Sequence, residues 1–127
     1  SYPSPIGIDL HPRYGPWFAF RAVFLINIPL EPSLQEKGEA PCQSCETRPC
    51  ESACPAEAVQ NGSILNLQAC VKQRLLPHSS CGDRCLSRLS CPVGKQWRYP
   101  DEQIAYHGRR SLNSLRHWNQ KFQDTVQ

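Results

Sequence analysis

Methionine is absent from this chain of 127 residues, and so are the signatures of several large functional classes. No apolar run is long enough to cross a bilayer; the longest, from Trp17 to Leu30, is interrupted by Arg21 and Asn27, so no membrane span is expected. No signal peptide is visible, which points to a soluble, reduced, cytoplasmic protein. The chain starts at Ser1 without a methionine and is expected to have been processed or to continue upstream. A glycine-rich phosphate loop and a dinucleotide fingerprint are both missing, which removes the usual NAD and flavin roles. The four histidines, His11, His78, His107 and His117, are scattered with no serine or cysteine constellation beside them, so no catalytic residue is expected. The basic residues form no concentrated stripe of the kind that tracks nucleic acid. With 39% hydrophobic residues, 12 prolines and 7 glycines, a modest, loop-rich core in need of staples is predicted.

What the chain does have is cysteine. There are eight, about 6% of the residues and short of the density of a disulfide scaffold. The first four stand as Cys42, Cys45, Cys50 and Cys54, a C-x2-C-x4-C-x3-C pattern closed by Pro55. A four-iron cluster needs several thiolates converging from a short loop, and Gln43, Ser44, Ser52 and Ala53 are small or polar enough to let them converge. The motif resembles that of bacterial-type ferredoxins, with two extra residues between the second and third cysteines. The second set, Cys70, Cys81, Cys85 and Cys91, is more widely spaced and also ends in Cys-Pro. The resemblance implies an α+β, ferredoxin-like iron-sulfur region over 42–95 carrying two 4Fe-4S clusters. In such proteins the fourth cysteine of each motif ligates the other cluster. Cys42, Cys45, Cys50 and Cys91 are then expected to hold the first cluster, and Cys54, Cys70, Cys81 and Cys85 the second, with His78 as an alternative ligand there. Arg48, Arg84, Arg88 and Lys95 lie beside these cysteines, where they could offset cluster charge.

Residues 1–41 read as an N-terminal arm, a strand and a linker. The proline-rich start, 1–16, suggests an extended arm with turns. From Trp17 to Ile28 the alternate positions Phe18, Phe20, Ala22, Phe24, Ile26 and Ile28 are all apolar, which predicts a buried strand. Within 42–95 a short helix is expected over Cys50–Ala58, then a small hairpin around Asn61-Gly62, then a helix of about ten residues capped by Asn66 and ended by Pro77. Residues 96–127 form a C-terminal extension. From Asp101 its apolar residues fall at steps of three and four, apart from a break around Gly108, which predicts an amphipathic helix. That helix could cover the core or dock a redox partner protein or subunit.

A second resemblance lies outside the cysteines. HPRYGPWFAFRAVFL, from His11 to Leu25, is similar to the HPxxGxWxAxRxxVV segment of cobalamin-processing proteins and, more loosely, of corrinoid reductive dehalogenases and epoxyqueuosine reductases. Trp97, Arg98, Tyr99, Glu102, Gln103, Ala105 and Tyr106 resemble a later stretch of the cobalamin-processing proteins. In those families the corrinoid pocket is built largely from sequence preceding the His-Pro segment, and ten residues precede it here. Cobalamin is therefore expected only with additional sequence or a partner, with His11 and Arg21 as its contacts by resemblance.

Three functions compete: an electron carrier with two clusters, an iron-sulfur reductase domain of a cobalamin-dependent enzyme, and a structural zinc protein. The first accounts for both Cys-Pro pairs, and the third leaves them unexplained. The chain alone leans away from being an enzyme.

Overall fold

The computed structural model describes residues 1–34, 38–60 and 62–126. Four helices follow one another: α1 (Pro49–Ser52), α2 (Leu67–Leu75), α3 (Leu86–Ser90) and α4 (Asp101–Val126), with a 3-10 turn at Lys95–Trp97 before the last. Among the described residues there is no strand or sheet, only the isolated bridges Tyr2 to Leu10 and His11 to Gly15. This overturns the expected α+β, ferredoxin-like class with its buried N-terminal strand. The physical reason lies in the backbone: a strand needs a neighbour to receive its N–H and C=O groups, and residues 18–28 meet none among the described residues. Of the apolar residues from Trp17 to Ile28, Trp17 alone is buried, whereas Phe24 is 83% and Leu25 98% exposed. Alternation shows that a segment would suit a sheet and cannot supply one. The expected hairpin fails in the same way. Gly62 has a left-handed φ of 74° and Ser63 N–H closes a turn on Gln60, but no strands flank it, and Asn61 lies outside the described residues.

The N-terminal residues do more than lead in. Paired N–H to C=O bonds between Tyr2 and Leu10 (2.9 and 2.8 Å) and between His11 and Gly15 (3.0 and 2.8 Å) fold 2–17 back on itself. The fold buries Ile6, Leu10, Pro16 and Trp17. The segment is fastened to the cysteine region at two glycines. Gly15 and Gly94 both have left-handed φ values, 57° and 69°, and a Cβ on Gly15 would run into the Val93 carbonyl while one on Gly94 would run into the Tyr14 carbonyl. Only residues without a side chain let these two backbones touch.

Helix α2 starts where the Asn66 side chain accepts the Ala69 N–H at 3.0 Å and stops at Leu75, two residues before Pro77. Helix α4 runs unbroken through Gly108, so the expected interruption there is in the apolar pattern and not in the backbone. Gly108 is where α4 crosses the loop before α3, and a Cβ would strike the Asp83 carbonyl. Arg74 of α2 ties the same junction, donating to the Gly82 and Gly108 carbonyls at 3.2 and 3.4 Å and to Ser111 Oγ at 3.2 Å. Ala105 and Leu112 bury the first half of α4, whereas Trp118, Phe122 and Val126 in the second half are exposed. None of the helices among the described residues is long and apolar enough to cross a membrane.

Candidate metal centre

All eight cysteines are free thiols. Two short helices arrange them. Helix α1 carries Cys50 in its first turn and is followed by Cys54, while α3 is capped by Cys85 at its start and Cys91 at its end. The two helices pack against each other. Arg48, in a left-handed conformation with φ 42°, turns the chain into Pro49 at the head of α1 and donates from Nε to the Cys45 carbonyl at 3.4 Å. The Cys42–Cys45 loop is thereby folded over the start of α1.

Electrostatic coupling shows which thiols share a neighbourhood. Burial pushes the Cys42 thiol up, Cys91 and Cys45 push it further, and Arg48 opposes them. Cys50 is raised by burial, then by Glu51, Cys42 and Cys45. Cys91 is raised by burial and by Cys45, against the Val93 N–H, Arg98 and Lys95. On the other side, Cys70 is raised by burial, Cys85, Cys54 and Cys81, with Arg74 opposing. Cys81 is raised by burial, Cys85 and Cys54, against the Ser80 side chain and the Leu86 N–H. Each of these couplings stays inside one group of four. The influences of thiol on thiol thus run among Cys42, Cys45, Cys50 and Cys91, and separately among Cys54, Cys70, Cys81 and Cys85. Cys91, which follows α3, acts on Cys42 of the first motif, and Cys54, which follows α1, acts on Cys70 and Cys81 of the second.

A single tetrahedral ion would need its thiolates within about 4 Å of one another, given metal to sulfur bonds near 2.3 Å. Among the described residues no three His, Cys, Asp or Glu side chains are placed to hold one metal ion. A four-iron core stands its ligands farther apart because the core itself lies between them. The second group also lines a cavity of about 700 Å³, walled on its other sides by Ile6, Ile8, Trp17, Phe18 and Phe20.

The remaining candidates are placed differently. His78 is exposed, sits in a left-handed turn with φ 55° and forms no part of the cavity wall. His11 closes a turn, its Nδ1 accepting from the Arg13 and Tyr14 N–H groups at 3.0 and 3.3 Å. Arg21 is exposed at the rim of the cavity. Of the four cations expected to offset cluster charge, Arg48 and Lys95 act on the first group. Arg84 instead bonds Asp83 at 2.9 Å and Asp101 at 2.7 Å, which holds it protonated and draws the Asp83 carboxyl below its ordinary range. Arg88 donates to the Pro16 carbonyl through Nε and Nη2, at 3.1 and 2.6 Å. The cations missed in the sequence are Arg74 and Arg98. Arg74 was detectable, four residues after Cys70 on one helix face. Arg98 carries no such signal.

Comparison with protein-family models, with curated proteins and with solved structures finds no match.

Proposed function

We propose that this chain is an electron-transfer protein or subunit carrying two 4Fe-4S clusters, one on Cys42, Cys45, Cys50 and Cys91 and the other on Cys54, Cys70, Cys81 and Cys85. The observation that supports this reading is the separation of eight free thiols into two electrostatically coupled groups of four. The scaffold is helical, so the reading does not depend on a ferredoxin fold. When bound, each cluster supplies a one-electron couple whose potential follows from charge, hydrogen bonds to sulfur and exposure.

The chain's own groups account for the rest. Partly buried neighbouring thiols resist ionising as bare thiolates, so loading a cationic core would displace their protons and relieve their repulsion. Arg48, Arg98 and Lys95 beside the first group, and Arg74 beside the second, favour added negative charge. The Val93 and Leu86 peptide N–H groups favour the ionised forms of Cys91 and Cys81 and act in the same direction. No acid or base side chain is required for outer-sphere transfer. The exposed apolar residues Trp118, Phe122 and Val126 of α4 suit docking of a redox partner, and eight free thiols suit a reducing compartment such as the cytoplasm.

A second reading, the iron-sulfur reductase domain of a cobalamin-dependent enzyme, is favoured by the placement of Trp17, Phe18, Phe20 and Arg21 in the wall of a cavity that the second thiol group also lines. That cavity is of ordinary small-molecule size, and a corrinoid would need further walls from elsewhere.

Iron, sulfide and zinc analysis of anaerobically prepared protein, with electron paramagnetic resonance after reduction, tests the proposal. About eight irons with matching sulfide and interacting reduced-cluster signals are expected. Zinc without sulfide would overturn it.

A further inference from the structure

From Phe18 to Ile28 the chain carries one charge, Arg21, and one polar residue, Asn27, and is otherwise apolar. Residues 19–28 are all exposed, and the side chains of Phe20, Val23, Phe24, Leu25, Ile26 and Ile28 stand in water. With Leu30 they offer on the order of 800 Å² of apolar area, where monomeric proteins rarely leave more than roughly a few hundred contiguous and each partner of a standard interface buries about 800 Å². The backbone is equally bare. No N–H or C=O group of 18–28 has a backbone partner among the described residues, and no helix or turn is formed over 17–26. Whatever covers these side chains must therefore also donate and accept along the main chain, because buried backbone left unpaired is costly. The rings of Phe18 and Phe20 meet edge-on at 5.6 Å, so alternate side chains already lie to one side.

A second copy of the chain meets both needs. Run antiparallel about a two-fold axis through Val23, the segment sets Phe18 against Ile28 and Phe20 against Ile26, aromatic to β-branched contacts made twice across the axis. Arg21 then falls opposite Leu25, so the two charges are kept off each other, whereas parallel pairing in register would set Arg21 against Arg21. One patch serves both copies, as a closed two-fold interface requires. We infer that two copies of this chain associate through antiparallel backbone pairing of residues 18–28 about Val23. The pairing lies between chains, so each chain keeps its helical fold, and it does not depend on the clusters.

Sedimentation of the whole chain over a concentration series, kept reduced so that no disulfide links copies, tests this together with hydrogen exchange. Native protein should pass from one to two chain masses with a micromolar or tighter dissociation constant, and the amides of 18–28 should exchange roughly tenfold more slowly where the dimer forms. Successive N–H groups of a paired segment point to opposite edges, so in Ala22→Pro with Val23→Pro one lost donor must face the partner. That variant should associate at least roughly a hundredfold more weakly. Both positions are exposed, so its helical circular dichroism should match the native. Phe24→Ser with Ile26→Ser should weaken association through side chains alone, and Trp118→Ser with Phe122→Ser should leave it unchanged. A native chain that stays monomeric to about 1 mM would overturn the inference and leave 18–28 to the sheet of another polypeptide. So would a dimer that survives the double proline, one lost instead with Trp118 and Phe122, or assemblies that grow past two copies, which mark an open edge.

Discussion

At the scale of single residues, the partnership of Cys91 and Cys54 carries most. Each follows one set of cysteines in the chain and stands with the other set in space. Paired substitutions test this crossing. Cys42→Ser with Cys91→Ser strikes one group, and about half of the iron is expected to remain. Cys42→Ser with Cys54→Ser strikes both, and little iron should survive. Motif-by-motif grouping would give the reverse. The same crowding makes a pH dependence. Burial first, and neighbouring thiols after it, raise Cys42, Cys50, Cys70, Cys81 and Cys91 above the ordinary 9.0 in the folded chain. Their contribution to the stability of the metal-free protein is thus whole below pH 9 and is lost as pH rises through the folded values. Thermal unfolding of metal-free protein should show a melting temperature that falls steeply above pH 9, a slope that Cys91→Ser reduces.

At the scale of elements, α4 divides in two. Its first half is pinned at Gly108 and by Arg74, and the usual gain of about 1 kcal/mol from replacing a helical glycine by alanine should reverse there. Gly108→Ala must push α4 off the Asp83 carbonyl, and a loss of about 1–3 kcal/mol in denaturant unfolding is expected. In the second half Trp118 is 73% exposed, so Trp118→Ser with Phe122→Ser should leave stability within about 0.5 kcal/mol. A large loss on unfolding would instead make this half part of the core. The sequence made α2 and α4 legible because both carry local signals: an asparagine cap and a proline stop in one, a stripe at steps of three and four in the other. Residues 18–28 carried an equally clear signal for a strand, and it misled because a strand's stability belongs to its neighbours.

At the scale of the molecule, few large apolar side chains are buried, and Cys81 and Cys91 count among the buried residues. Clusters at the thiol groups would replace much of the missing core, so loading is expected to raise the melting temperature and sharpen the transition in calorimetry. Charge changes as well. The formal +3 excludes the cysteines, and eight thiolates outweigh two oxidised cores, so loaded protein should migrate further toward the anode than metal-free protein on an anaerobic native gel.

The sequence by itself determined the number and kind of candidate ligating side chains, the cap and stop of α2, and the amphipathic run of α4. All of these depend on residues within a few positions of one another. The tertiary structure alone decided that residues 18–28 find no strand partner among the described residues, that Arg84 and Arg88 serve loops and the N-terminal segment, and that Arg74 and Arg98 stand beside the thiols. It also decided that Trp17 shares a wall with the second group. These outcomes depend on which distant backbones can approach, here at Gly15 against Gly94 and at Gly108 against Asp83, and no local pattern encodes that approach.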